Sequence, residues 1–272
     1  MYFRMKHRIF RAVFPAAALL AVIIAAMPVQ ARAKENRQMP RLIQTVTEQD
    51  IYEGMAALGM LECPVLERVD CAQAYENVKN CVVRIQMGNA HGSGIVWRLA
   101  PGHVVVATNG HVLEYWEEAD SYVYFPQGYY ADARIMGVSA HSDVGFLEVD
   151  NGQFTVEELF TLRHAPIDTA VYDGLSQGQA MFSVDTGSEI GEEKYYEAVL
   201  QDARRYIPDF DAYMLYGHGF AREGMSGGGT FDGRGYLIGM TTGGTLQNET
   251  AGVPLPDIIA AYEEVMRRQE NP

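Results

Sequence analysis

Residues 224–230 read GMSGGGT, and how this glycine-rich turn is read decides the fold around it. Glycines clustered around one serine are common in surface loops. The turn gains chemistry only if a base and an acid reach the Ser226 hydroxyl. Gly224, Ser226 and Gly228 match G-x-S-x-G, the nucleophile-presenting turn of α/β-hydrolases, where the histidine follows the serine in the chain. No histidine follows Ser226. That reading fails, and any imidazole base must lie upstream.

Seven histidines precede the turn: His7, His91, His103, His111, His141, His164 and His218. His111 has the most informative context, HVVVATNGHVL, in which an apolar run gives way to a polar turn and then the imidazole. A general base needs such a rigid strand end beside an open cleft. By itself the same pattern also describes a turn histidine bonded to nearby backbone. An acid lying between His111 and Ser226 is offered by AHSDVGFLEVD, where Asp143 precedes a short apolar strand. A strand-start aspartate is more often a turn residue. Asp150 sits in a DNG turn facing solvent. Asp70, His111 and Ser226 follow the subtilisin order, but the strand texture argues against that α/β fold.

From Cys81 onward the chain is a series of short apolar or alternating runs separated by turn residues. They include CVVRIQM, GIVWRL, HVVVAT, SYVYF, ARIMGVS, VGFLEV, QAMFSV, YEAVL, AYMLY and GYLIGMTT. This spacing predicts an antiparallel all-β barrel or sandwich. The last run, LPDIIAAYEEVMRRQE, carries Ile258, Tyr262 and Val265 or Met266 at helical spacing and predicts a C-terminal amphipathic helix. Residues 34–71 read as a peripheral extension or pro-segment. Within them a helix is expected from Thr47, with Asp50 completing a capping-box-like start, to about Gly59.

The first 33 residues differ from the rest. MYFRMKHRIFR is basic, AVFPAAALLAVIIAAM is apolar, and Ala31 and Ala33 supply an A-x-A cleavage pattern. The apolar run is short for a bilayer span of about 20 residues. This predicts a signal peptide, with an uncleaved anchor as the alternative, and an exported protein in either case. Removing five basic residues and no acidic one takes the net charge from −14 to −19. So acidic a surface repels phosphate backbones and anionic lipid, so neither nucleic acid nor a membrane surface is an expected partner beyond N-terminal anchoring. At 48% hydrophobic and 11% aromatic residues, the 272-residue chain has an ordinary globular composition. Cys63 and Cys71 flank a short stretch, PVLERVD, that one disulfide would close, whereas Cys81 shares an apolar strand face and reads as a core thiol. No cysteine pair has zinc-ligand spacing, and neither metal nor other cofactor is called for.

Taken in order, CVVRIQMGNAHGSGIVW, ATNGHV, SDVGFLEV and GMSGGG resemble a trypsin-like serine protease of the bacterial HtrA/Deg-like branch. GLSQGQAMFSV resembles the segment opening that family's second barrel. The likeness runs over roughly residues 75–265, within a protease domain placed at 72–272 and split near 165–178. It implies two six-stranded antiparallel β-barrels, with His111 and Asp143 from the first and Ser226 from the second. It further implies a secreted or cell-envelope endopeptidase acting on a protein or peptide substrate. The backbone N–H groups of Gly224 and Ser226 would then form the oxyanion hole, with Phe220 and Ala221 near the base of the primary pocket and Thr242, Gly243 and Gly244 along its wall.

The chain departs from the family in several ways. Digestive trypsins pair a new N-terminal amine with an aspartate directly before the serine. Met225 stands there, so no such zymogen switch is expected, although residues 34–71 could restrain the site sterically. HtrA enzymes usually carry a PDZ domain after the protease, whereas this chain ends 46 residues after Ser226. A monomer is therefore expected rather than an HtrA-like trimer. No acid stands at the trypsin-like pocket base, and MTTGG lacks the wall histidine of glutamyl endopeptidases, although His218 lies near. A neutral, apolar or small residue before the scissile bond is the expectation. The alternatives are a catalytically silent binding or chaperone-like protein of the same fold, and an esterase using the same triad.

Overall fold

The computed structural model describes residues 47–270, so the signal peptide expected at 1–33 and the stretch up to residue 46 lie outside it. The chain divides into two compact units after Gly59. In the first, helix α1 (Glu48–Ala57) begins on a reciprocal cap. Thr47 Oγ1 accepts from Asp50 N at 3.2 Å, and Asp50 Oδ2 accepts from Thr47 N at 2.8 Å. This satisfies two N–H groups that a helix start leaves free.

The second unit opens with helix α2 (Cys71–Val78), capped by Asp70. Seven strands follow: β1 (Val82–Met87), β2 (Ala90–Ala100), β3 (His103–Thr108), β4 (Ser121–Phe125), β5 (Tyr129–Ala131), β6 (Arg134–Val138) and β7 (Gly145–Asp150). A single-turn helix, α3 (Gly110–Leu113), follows β3. The strands form one antiparallel sheet in the order β5-β4-β1-β2-β3-β7-β6. HVVVAT lies inside it, between β2 and β7, with Val104 to Thr108 all buried, as expected of a strand covered on both faces. SYVYF, next to the edge, alternates buried and half-buried positions.

Helical turns α4 (Val156–Leu159) and α5 (Thr169–Asp173) occupy the connection to the second set of strands. These are β8 (Ala180–Asp185), β9 (Lys194–Ile207), β10 (Ala212–Gly219), β11 (Gly229–Asp232), β12 (Leu237–Gly244) and β13 (Glu249–Pro254). They close into a barrel in the order β10-β13-β12-β11-β8-β9. Phe182 of β8 and Phe231 of β11 stack at 5.5 Å, and Met181, Leu200 and Met225 are fully buried.

The fold is chymotrypsin-like, with one difference from two equal six-stranded barrels. The first half is a curled seven-stranded sheet whose end strands, β5 and β6, do not pair. The reason lies in helix α6 (Leu255–Glu270), which leaves the second barrel directly after β13 and covers the edge at β6. Gln269 Nε2 donates to Met136 O at 3.1 Å and Arg268 Nη1 to Val138 O at 3.1 Å. Carbonyls that a closing strand would take are thus occupied by helix side chains. The Tyr262 ring packs 5.3 Å from Phe146 and 6.0 Å from Trp97, both in the open sheet. Glu264 accepts from Ser139 Oγ at 2.6 Å and from Ala140 N at 3.2 Å.

All three cysteines are free thiols. The Cys63–Cys71 bridge considered from the sequence is not formed, because the stretch between them runs along the second barrel instead of closing on itself. Leu66 N donates to Arg234 O and Asp70 N to Gly233 O, at 2.9 and 2.8 Å. Cys63 lies beside Cys81 instead, and burial pushes the Cys81 thiol well above its usual range. Among the described residues no helix is long and apolar enough to cross a membrane.

Candidate active site

Strand pairing brings His111 and Asp143 together. β3 runs antiparallel to β7, with Thr108 opposite Gly145, so the residues just past one end and just before the other are neighbours. Asp143 holds His111 twice: Oδ1 accepts from the His111 backbone N at 2.9 Å, and Oδ2 lies 2.7 Å from Nδ1. With a carboxylate as acceptor, Nδ1 carries the proton and the neutral ring keeps its lone pair on Nε2. The Asp143 hydrogen bond raises the His111 pKa above the usual histidine value, and partial burial opposes it.

The aspartate is positioned in turn by Asn109. Its Nδ2 donates to Asp143 O at 2.9 Å and to Thr242 Oγ1 at 3.2 Å, linking the open sheet to the closed barrel. The Asn109 side-chain oxygen is buried without a partner. Asn109 was not singled out from the sequence; the polar residue between HVVVAT and His111 was its one signal.

Ser226 sits in a turn between β10 and β11 that several backbone contacts fix. Gly227 N donates to Thr241 O at 2.9 Å and Gly228 N to Met225 O at 3.0 Å. From the open sheet, Ser93 N donates to Ser226 O at 2.8 Å and Ser93 Oγ to Gly224 O at 2.7 Å. Gly224 and Gly227 have φ of +91° and +87°, the region that side chains disfavour. A Cβ at Gly227 would run into Ser93 O and Thr108 Oγ1, and one at Gly224 into the His91 ring. Glycine is required at both positions for conformation and for space.

His111 and Ser226 line one cavity of about 570 Å³, together with Met87, His91, Tyr115 and Gly224. The Ser226 hydroxyl donates to Thr242 O at 3.1 Å, and no hydrogen bond joins it to His111. No protein acceptor among the described residues takes the N–H of Gly224 or of Ser226. His91, passed over in the sequence, has a buried Nε2 with no partner, and burial lowers its pKa. Its signal was its place directly before the G-S-G step of β2.

The residues expected at the primary pocket are only partly gathered. Ala221 lies against Gly244, where an added Cβ would stand 2.8 Å from the Ala221 Cβ, and Phe210 packs near Gly243. Thr242 contacts Ser226 and Asn109 as described. The Phe220 ring turns to Tyr196, 4.5 Å between centroids, and is 39% exposed. His218 stands opposite Glu249 in the β10–β13 ladder and does not line the His111 cavity. Among the described residues no group of three or more His, Cys, Asp or Glu could hold a metal ion.

The family model of the trypsin-like peptidase domain matches residues 92–240. Among solved structures, the HtrA-type protease AlgW with a tripeptide superposes with a TM-score of 0.62 at 17% identity, covering 74% of this chain and 64% of that one. A variant of AlgW, also with a tripeptide, gives 0.61 at 17% identity, over 73% and 64% of the two chains. The chain thus spans less than two thirds of those structures, and the likeness concerns the fold. No curated protein sequence matches. A match over more than half of the length, on a sheet and barrel that meet at Asn109 and Thr242, makes this chain a member of the trypsin-like peptidase family.

Proposed function

We propose that this protein is an exported serine endopeptidase with His111, Asp143 and Ser226 as its triad. The observation that carries the reading is the double grip of one carboxylate on His111, in a cavity that also holds Ser226. The reading requires the Ser226 side chain to turn from Thr242 O toward His111 across the shared cavity; such hydrogen bonds often form only once substrate is bound. His111 Nε2 accepts the hydroxyl proton as Oγ attacks the peptide carbonyl carbon. The N–H groups of Gly224 and Ser226 receive the developing oxyanion. The C–N bond then breaks as His111 passes the proton to the departing amine, leaving an acyl group on Ser226. Water, activated by the same imidazole, releases it. Asp143 holds the tautomer and stabilises the imidazolium.

The close approach of Ala221 to Gly244 supports a small or neutral apolar side chain before the scissile bond. The basic, then apolar, then A-x-A leader supports export to the cell envelope or beyond. We further propose that the protein works as a monomer without a cofactor.

Labelling of residues 34–272 with a fluorophosphonate probe tests the reading. Signal in the wild type that vanishes in Ser226→Ala and His111→Ala is the expected result. The Ser226–Thr242 hydrogen bond favours a second reading, a silent binding protein of the same fold. A folded wild type that takes no label, even after residues 34–71 are trimmed, would establish that instead.

A further inference from the structure

The segment carrying Gly224 and Ser226 has one charged tether. Arg222 turns its guanidinium onto Asp185 at the end of β8, with Nε 2.8 Å from Oδ2 and Nη2 3.0 Å from Oδ1. Its remaining nitrogen, Nη1, donates to Ser188 Oγ at 2.8 Å. The Asp185 side chain is wholly buried, whereas that of Arg222 is 27% exposed. A buried carboxylate with a two-point guanidinium partner fixes orientation as well as distance. Met225, directly before the serine, is fully enclosed and offers no charge. The charge that can place this loop stands three residues earlier.

What Arg222 grips is itself held. Gly187 N donates to Asp185 Oδ1 at 2.9 Å, closing a turn with φ of +82° at Gly187. From β1 of the open sheet, Arg84 donates Nη1 to Gly187 O at 2.7 Å and Nη2 to Ser188 O at 3.2 Å. Thr186 Oγ1 lies 2.9 Å from Ser93 Oγ, the hydroxyl that donates to Gly224 O. The two routes converge: Asp185 reaches Gly224 through Arg222 on one side and through Thr186 and Ser93 on the other. A rigid backing aimed at Gly224 is what an oxyanion donor needs, since its contribution depends on being oriented before charge develops.

We infer that the Arg222–Asp185 pair is the positioning device of the oxyanion-binding loop, holding the Gly224 N–H toward the cavity and so acting on turnover rather than on substrate affinity. The inference rests on the protease reading above. Arg222 touches no reacting atom and acts through the loop.

The test compares full-length wild type with Arg222→Ala, Arg222→Lys, Asp185→Asn and a control, Arg134→Ala, which removes an exposed ion pair with Glu148 on the open sheet. Thermal melts establish folding; fluorophosphonate labelling rates, with kcat and KM on an activated ester, report function. Arg222→Ala is expected to lose about 10²-fold in kcat, the scale of one oxyanion donor, with KM within a few-fold. Arg222→Lys should fall between it and the wild type, and added methylguanidinium should restore part of the Arg222→Ala rate. Arg134→Ala should be unchanged. Folded Arg222→Ala and Asp185→Asn with wild-type kcat, or a loss confined to KM, would overturn the inference while leaving the protease reading intact. If Arg222→Ala does not fold, unchanged kcat in Arg222→Lys overturns it equally. A folded wild type that is never labelled removes the protease reading, and the anchor's role with it.

Discussion

The open sheet and the closed barrel divide the site unevenly. The barrel carries Ser226, yet much of what fixes the serine turn comes from the sheet. Ser93 contributes two hydrogen bonds to the turn, Thr108 packs against Gly227, and Asn109 reaches Thr242. His111 and Asp143, in contrast, are both set by strands of the sheet itself. A ladder positions two residues on adjacent strands directly. Ser226 lies on a loop between β10 and β11, which do not pair with each other, so its position depends on bonds from other strands.

Three substitutions and a pH profile can break or sharpen this contrast. The largest effect is expected at the sheet's own pair. Asp143→Asn leaves the shape but presents a donor where His111 Nδ1 requires an acceptor, so kcat should fall by about 10⁴-fold. A loss under tenfold would mean that Asp143 does not set the tautomer. Across the divide, Gly227→Ala forces a side chain into the left-handed region and against Ser93 O and Thr108 Oγ1. Chemical denaturation should show about 3 kcal/mol lost; an unchanged midpoint would show that the turn is not clamped by the sheet. Ser93→Ala keeps the backbone bond to Ser226 but removes the hydroxyl between Gly224 O and Thr186. About 1–3 kcal/mol of stability should go, with labelling slowed. Normal labelling in the folded variant would place control of the turn within the barrel.

The pH profile gives the finest discrimination. The base must be neutral, and Asp143 raises the His111 pKa, so the acid limb of kcat/KM should centre above the ordinary histidine value of about 6.5. Stability carries the same linkage: the contribution of a raised histidine pKa is fully present below about 6.5 and fades as pH rises through the folded value. Titration of the His111 ring by NMR checks both. A folded pKa below the ordinary value would break the pairing.

Much of this was legible in the sequence where side chains carry the pattern. HVVVAT and VGFLEV announce buried strands, and the histidine and acid at their ends follow from that. β11 and β13 were not read because GTFD lies in a glycine run and ETAGVP contains residues that strands usually avoid. β5, three residues long, is too short to show a period. Helix α2 begins at the cysteine where the N-terminal segment was taken to end. At the site, Asn109, His91 and Arg222 act through partners 34 to 133 residues away or through orphaned burial, which no local spacing encodes. The unclosed first half also follows from an element distant in sequence, since the helix side chains that cover β6 come 130 or more residues later.

That helix also bears on when activity can begin. Glu264 of α6 holds Ser139 and Ala140, next to the segment bearing Asp143, and Tyr262 packs on the sheet made from the earliest strands. A chain emerging from a ribosome or threaded through an export channel presents its N-terminal strands long before residues 255–270 are free. Until they arrive, the loop bearing Asp143 lacks the two hydrogen bonds that Glu264 accepts from it, so the pairing of Asp143 with His111 is completed by the last helix of the fold to be made.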